Sequence, residues 1–448
     1  MADFALNRRS LIAYSLPSAP LSMLNMMLIV YIPPFYAAEI GLPLAAVGGV
    51  FFLARLWDAV TDPVVGNLSD RTKSKFGRRK PWIALGAPAL LLMFYFFCFP
   101  PEGADLTYLL VVTFFFYLAS TIVQVPYLSW GAELSRDYKE RTRITGYRET
   151  ATMIGVMLAT AIPLFFLQGK DASVADIVGI FAFSILIIFP ITIAGILMFA
   201  PQAMALSEKR GLPLFEALTS LLPNTPFMRL LAAMFAIWVG GGIYNATGLF
   251  LVQSLGFAPQ QFLIALFLQY AVGLAAMPLH VYAGGKIGKH RALLFIGMSF
   301  FIVLPLLLLV QPGAFWQLLL VYALKGAVTA SIWVMPPALV ADSIEYGMLK
   351  GAGDDAAIYM SLYFFIQKAA MAVGVGLALP LAAMLGYDPK MGADAATSGL
   401  NFVSVILPAI VAAPAAILLF SHPITEARHA EIRRELAERG AKPAEGAI

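Results

Sequence analysis

Apolar runs of 18 residues or more recur along nearly the whole chain, and they restrict its fold more than any other feature. A helix of about 20 apolar residues crosses the hydrocarbon core of a bilayer. Inside lipid the backbone must satisfy its own hydrogen bonds, so only helices and closed barrels can span a membrane. The runs do not alternate strictly between apolar and polar residues, as barrel strands do. The sequence therefore predicts an all-α integral membrane protein.

Twelve spans can be placed, in two sets of six. They run over residues 10–33, 43–68, 82–100, 106–132, 144–168, 174–199, 226–253, 261–284, 291–311, 314–341, 355–385 and 398–421. Both sets carry a proline and then an acidic residue near the end of their fourth span, and related halves that enclose a site are common in secondary transporters. We predict an N-terminal six-helix bundle at 1–199, a central cytoplasmic connector at 200–224, a C-terminal six-helix bundle at 225–421 and a cytoplasmic tail at 422–448 that forms a solvated helix.

Composition narrows the class of protein further. Charged residues make up 12% of the 448 positions, against about 25% in soluble domains. The single cysteine, Cys98, excludes an internal disulfide and a cysteine-built metal site. The chain has no nucleotide-binding P-loop, no H-E-x-x-H motif and no G-x-S-x-G motif. We therefore expect that the protein is not an enzyme or an ATP-driven pump. We also expect no cofactor and no nucleic-acid partner. The protein is expected to be a monomer surrounded by membrane lipids.

Lysine and arginine are concentrated in alternate loops. The loop from Ser69 to Lys80 holds six of them, whereas the opposite side holds only Lys170 and Lys390. The positive-inside rule therefore puts both termini and the even-numbered loops in the cytoplasm. We expect a multi-pass protein of the plasma membrane, which in a bacterium is the inner membrane.

Span two carries three ionisable residues, Arg55, Asp58 and Asp62. Inserting one charged side chain at the bilayer centre costs about 2.5–3.5 kcal/mol, so each of the three needs a structural or functional explanation. Their spacing puts all three on one helix face, where two carboxylates one turn apart need a cation, a proton or a basic partner. Sodium prefers oxygen ligands, so Asp58 and Asp62 with a nearby hydroxyl would suit it. The alternative is a buried Arg–Asp network that only ties helices together.

Other polar residues inside the spans are candidates for solute binding and coupling. Lys368 lies too deep in span eleven to reach water easily, and its natural partner is Asp58 or Asp62. This pair either breaks when a cation binds or is a static salt bridge. Thr121 and Gln124 share a face of span four and either bind ion and solute or pack helices.

Charged residues at the ends of spans have two interpretations each. Arg148 opens span five, where it either reaches a cavity or anchors a helix end. The basic loop after span two either pairs with acidic groups such as Glu133 and latches one conformation, or only sets the topology.

The segment Arg55-Leu56-Trp57-Asp58-Ala59-Val60-Thr61-Asp62-Pro63-Val64-Val65-Gly66, followed by Asp70-Arg71 and the sequence GRRKPW at 77–82, resembles the glycoside–pentoside–hexuronide:cation symporter family. This family belongs to the major facilitator superfamily, and the resemblance covers all twelve spans. Further matches are Gln124-Val125-Pro126-Tyr127, Glu140-Arg141, Tyr147-Arg148, Asp342 with Glu345-Tyr346-Gly347, and Gln367-Lys368.

The resemblance implies the major facilitator fold and an alternating-access cycle around a cavity. It implies that Asp58 and Asp62 bind sodium, lithium or a proton with help from Thr121, and that Lys368 is the family's span-eleven lysine. We assign coupling to Lys368 and Arg55, and solute binding to Ser22, Gln124 and Arg148. We assign a cytoplasmic gate to Asp70, Arg71, Arg78, Arg79, Glu133, Arg141 and Asp342.

The chain departs from the family where acidic residues of spans one and four hold sugar hydroxyls. Ser22 and Gln124 stand at those positions, and span one is rich in methionine, which adapts to irregular apolar ligands. We therefore expect a sodium- or proton-coupled symporter of a sugar, a glycoside or a related organic solute. Lysophosphatidylcholine symporters share the span-two signature, so an amphiphile such as a lysolipid is an alternative substrate. A non-transporting membrane receptor or scaffold is an alternative of another class.

Overall fold

The computed structural model describes residues 6–135, 138–167, 172–201, 221–350, 356–389 and 397–441. Within these ranges, twelve helices are long and apolar enough to cross a membrane, and we number them α1 to α12. They are Arg8–Val30, Leu44–Arg71, Lys80–Cys98, Leu106–Gly131, Arg143–Phe166, Val174–Phe199, Thr225–Ser254, Pro259–Ile287, Lys289–Leu309, Phe315–Leu349, Ile358–Met384 and Thr397–Phe420. Their ends lie within three residues of the predicted ones, except that α10 continues to Leu349 instead of ending at 341.

Local sequence signals explain where two of these helices begin. Asp105 caps α4 by accepting a hydrogen bond of 2.8 Å from the backbone N–H of Tyr108. Ser173 and Asp176 form a capping box at the start of α6. The helix that contains α4 continues to Glu133, which places an acidic side chain two residues beyond the apolar span.

The first compact unit comprises Met1–Glu208, Asn245–Phe267 and Val375–Leu400. In it, α2 packs along α4, and α3 packs along α4 as well. Helix α1 packs on α5 at Gly155, where an added Cβ would lie 2.2 Å from the carbonyl oxygen of Ala19. Only glycine permits this approach of two helix backbones.

The second compact unit comprises Lys209–Tyr244, Leu268–Gly374 and Asn401–Ile448. Its helices α8 and α10 touch at Gly326, where an added Cβ would lie 2.1 Å from the carbonyl oxygen of Gln269. A thirteenth helix, α13 (Glu426–Ala441), follows α12. The tail is helical as predicted, but it is not simply solvated, because Ile432 is fully buried in a cluster with Leu349.

The predicted boundaries of the two bundles remain predictions. The central connector lies mostly outside the described residues, since 202–220 are not among them.

Candidate cation site and charged clusters

The two carboxylates of α2 meet a hydroxyl of α4. The Thr121 hydroxyl lies 2.8 Å from Oδ1 of Asp58 and 3.1 Å from Oδ1 of Asp62, and it can donate to either. Asp58 and Thr121 are buried, with 6% and 2% of their surface exposed. The structure therefore brings three of the predicted cation ligands together in one buried place.

Thr61 adds a fourth side-chain oxygen that the sequence analysis did not single out. Its hydroxyl lies 3.4 Å from that of Thr121. It also donates to its own helix, to the carbonyl oxygens of Trp57 at 3.1 Å and Asp58 at 3.3 Å. Threonine often bonds to its own helix in an apolar segment, so only its position between the two aspartates could have marked it. Four oxygens of this kind form a suitable environment for a hard cation.

Arg55 is held by an aromatic ring rather than by an aspartate. Its guanidinium carbon lies 5.0 Å from the centroid of the Tyr117 ring on α4. Within the described part of the chain, Arg55 forms no ion pair with a carboxylate. The Arg–Asp network that the sequence left open as an alternative is therefore not formed by this arginine.

The predicted solute-binding residues do not converge in the structure. Ser22 donates to the carbonyl oxygens of Ala19 at 2.8 Å and Thr152 at 2.9 Å, which is a packing contact of α1 with α5. Gln124 donates to Ser120 on its own helix at 2.7 Å. No hydrogen bond among the described residues joins any two of Ser22, Gln124 and Arg148.

Arg148 and Lys368 lie in different units. Arg148 is mostly buried on α5 and forms an ion pair of 2.7 Å with Glu149. Lys368 lies half-buried on α11 in the second unit. Its pairing with Asp58 or Asp62 stays a prediction.

Four predicted gate residues of the first unit form one cluster around a buried carboxylate. Glu133 accepts from the Nε of Arg79 at 3.1 Å and from the Nε of Arg78 at 3.2 Å. Arg79, only 4% exposed, also donates to Ser69 at 2.6 Å and is paired with Asp70. Charge-assisted bonds of this density fix the end of α2 to the ends of α3 and α4.

The other predicted gate residues lie elsewhere. Arg71 is exposed. The side chain of Arg141 lies outside the described residues. Asp342, in the second unit, pairs with Lys289 at 2.6 Å and lies 3.4 Å from His429 of α13, two partners that the sequence did not reveal.

A groove of about 610 Å³ lies on the first unit where α1 meets α5. Apolar side chains dominate its lining, among them Ile12, Leu16 and Ile154, and Arg143 and Tyr147 lie at it too.

The sequence of the chain matches the family described as "MFS/sugar transport protein" over residues 13–426. The chain belongs to this family. The resemblance to major facilitator symporters that the motifs indicated is thereby confirmed, and members of the family are transporters rather than enzymes.

Relatives with curated names are symporters and carriers. The chain is 24% identical to an uncharacterized symporter, sll1374, of Synechocystis, covering 92% of this chain and 93% of the relative. It is 23% identical to the sodium-dependent lysophosphatidylcholine symporter 1-A of Danio rerio, covering 86% and 80%. It is 22% identical to the glucuronide carrier protein homolog of Escherichia coli, covering 97% and 96%.

Solved structures establish the fold. The nucleoside transporter NupG superposes with a TM-score of 0.63 at 10% identity, covering 93% of this chain and 98% of NupG. A bacterial homologue of the lysosomal transporter Spinster superposes with a TM-score of 0.61 at 15% identity, covering 97% and 99%. The predicted major facilitator fold with twelve membrane-spanning helices is confirmed. The protein is a multi-pass membrane transporter.

Proposed function

We propose that this transporter is a symporter that carries an organic solute together with sodium or a proton by alternating access. The observation that supports it most is the single hydroxyl of Thr121 within 2.8 and 3.1 Å of two carboxylates on the neighbouring helix. A cation bound here would contact the two carboxylates in place of the donated Thr121 hydrogen bond. Its full positive charge would relieve the repulsion between the two carboxylates.

The binding of the ion and the binding of the solute would be coupled through a conformation of the protein that favours both. If the occupied site favours the conformation that binds solute, then bound solute must favour the ion by the same factor. Carboxylates on α2 and a ligand on α4 make this coupling physically reasonable, because filling the site changes the forces that hold two helices together. Lys368 and Arg55 are the proposed coupling residues.

A sugar, a glycoside or a related polar solute is the substrate class we favour. The family description names sugar transport, and one relative is a glucuronide carrier homologue. We further propose residence in the bacterial inner membrane with both termini in the cytoplasm, from the charges of the predicted loops.

A lysolipid is the second candidate substrate. The apolar groove of about 610 Å³ at α1 and α5 favours it, since an acyl chain needs such a surface. Besides the Danio rerio symporter 1-A, two further relatives in fish and frog are sodium-dependent lysophosphatidylcholine symporters.

Uptake into proteoliposomes tests these proposals. We expect an inward sodium or proton gradient to drive accumulation of a sugar, a glucuronide or a lysolipid from a defined panel. Asp58→Asn and Asp62→Asn should each abolish the gradient effect. Asp105→Asn is the matched control, because asparagine also caps a helix and Asp105 is exposed. Gradient dependence that survives in both α2 variants would refute the cation site.

A further inference from the structure

A buried lysine of the second unit has no part in the proposed cation site. Lys325 lies on α10, ten residues after the helix begins at Phe315, which is about 15 Å along the axis. This depth is about half the thickness of the hydrocarbon core. Only 7% of its surface is exposed. A charge at this depth is a candidate for function by default.

Aromatic rings surround the ammonium group. Its nitrogen lies 3.5 Å from the centroid of the Tyr244 ring on α7 and 5.6 Å from that of Tyr322 on α10. The hydroxyl groups of these two tyrosines lie 2.6 Å apart and are hydrogen-bonded. Ring faces attract a cation, but they accept none of its N–H bonds in the way that an oxygen does.

Two lysines at helix ends, Lys80 and Lys289, have oxygen partners. Lys289 is paired with Asp342 at 2.6 Å, and Lys80 donates to the carbonyl oxygens of Leu197 and Ala200 at 3.0 and 3.1 Å. Lys325 differs, because within the described part of the chain its ammonium group has no carboxylate partner and no hydrogen-bond acceptor. Of these three lysines, the most deeply buried is the one whose ammonium group contacts aromatic rings alone.

The backbone at this place is held firmly. Gly326, the next residue, touches the backbone of Gln269 on α8 so closely that an added Cβ would lie 2.1 Å from its carbonyl oxygen. Lys325 therefore projects from a part of α10 that is packed backbone to backbone against α8. A fixed cation with free N–H donors is suited to hold an anion.

We propose that Lys325, with Tyr244 and Tyr322, forms an oxyanion subsite that takes a carboxylate or phosphate group of the transported solute. This inference rests on the proposed transport function and narrows its substrate class to anionic solutes. The oxyanion accepts hydrogen bonds from the ammonium group and neutralises its charge, while the tyrosine rings keep water away from the pair. A tyrosine hydroxyl that leaves its neighbour supplies a further donor.

Thermal unfolding of the full chain in detergent tests this subsite without any ion gradient. The probes are solutes that differ by one group, glucuronate and glucose 6-phosphate against glucose, at equal ionic strength. We expect at least one anion to raise the Tm saturably, by about 3 °C or more, while glucose does not. The two anions distinguish a carboxylate site from a phosphate site.

Lys325→Met should remove the anion effect. Lys286→Met is the matched control, because Lys286 also lies over a tyrosine, 5.8 Å from the Tyr282 ring, but is exposed. Lys325→Gln replaces the methionine variant if that one does not fold.

The proposal is overturned if neither anion stabilises the wild-type protein more than glucose does. It is equally overturned if the anion effect persists in the Lys325 variant. These measurements need no sodium or proton gradient and are therefore independent of the uptake experiment. A lack of gradient-driven uptake would refute coupled transport and would leave the anion subsite to its own test.

Discussion

Thr121 and Asp58 lie on different helices, and the hydrogen bond of 2.8 Å from the threonine hydroxyl to Oδ1 of the aspartate joins them. The donor side chain lies on α4 and both carboxylates lie on α2. Any cation that binds the carboxylates therefore competes with this hydroxyl hydrogen and alters the contact of the two helices. At the proposed cation site, ion binding would therefore be linked to the relative position of α2 and α4.

We expect Thr121→Ala to weaken cation binding about tenfold or more, because a hydrogen bond or ligand to a charged group contributes about 1.5–3 kcal/mol. Thr121→Ser keeps the hydroxyl and should restore most of the affinity. Thr113→Ala is the control, since Thr113 is also fully buried on α4 but donates only to the carbonyl oxygen of Leu109. The measurement is the sodium or proton concentration that gives half-maximal uptake. Equal effects of the alanine changes at 113 and 121 would remove Thr121 from the site.

Glu133 is the centre of the charged cluster that ties the ends of α2, α3 and α4. Glu133→Gln leaves Arg79 buried without its full counter-charge, and loss of one partner of a buried ion pair costs about 3–5 kcal/mol. We expect the Tm to fall by several degrees. Glu431→Gln removes an exposed pair with Arg428, 2.8 Å long, and should leave the Tm nearly unchanged. If both variants melt like the wild type, the cluster contributes nothing to stability.

The sequence predicts the ends of the helices better than it predicts the contacts of their side chains. Apolar runs place the ends of eleven spans within three residues, because the bilayer sets the length of a spanning helix. The sequence indicates Asp58 and Asp62 as candidates because ionisable groups in lipid are rare and helix spacing puts them on one face. The cation role of Thr121 is implied by the resemblance to the symporter family. Ser22 was chosen only because of its position in the resemblance, and the structure uses its hydroxyl for packing.

Contacts that are distant along the chain could not be read from it. Asp342 and Lys289 are 53 residues apart, and nothing local marks them as partners. The sequence of α13 predicts a solvated helix because half of its residues are charged. Its few apolar residues lie on one face and meet Leu349 of α10, and Arg433 pairs with Glu345 of the same helix.

The contact of α13 with α10 leads to a prediction about the C-terminal tail. Ile432→Asp puts a charge into a fully buried position and should release the helix from α10, although Glu345 also binds Arg433 at 3.0 Å. Limited proteolysis should then cut the tail much faster than in the wild type. Arg434→Asp is the control, because the Arg434 side chain is 75% exposed. Equal cleavage rates in the two variants would mean that Ile432 does not hold the tail.

Helix α5 contains two glycines that should respond to alanine in opposite ways. At Gly155 a new Cβ would lie 2.2 Å from the carbonyl oxygen of Ala19 and equally close to the hydroxyl oxygen of Ser22. The backbones of α1 and α5 must separate to make room, and such overpacking costs about 1–3 kcal/mol. We therefore expect Gly155→Ala to lower the Tm.

At Gly146 no atom lies within 4 Å of an added Cβ, so only the helix propensity changes. Alanine is more favourable than glycine in a helix by about 1 kcal/mol, and Gly146→Ala should hold or raise the Tm. Thermal unfolding of the two variants in the same detergent gives the comparison. If Gly155→Ala were as stable as Gly146→Ala, the two helices would not be in the close contact described, and the hydrogen bond from Ser22 to Thr152 across that contact would be lost with it.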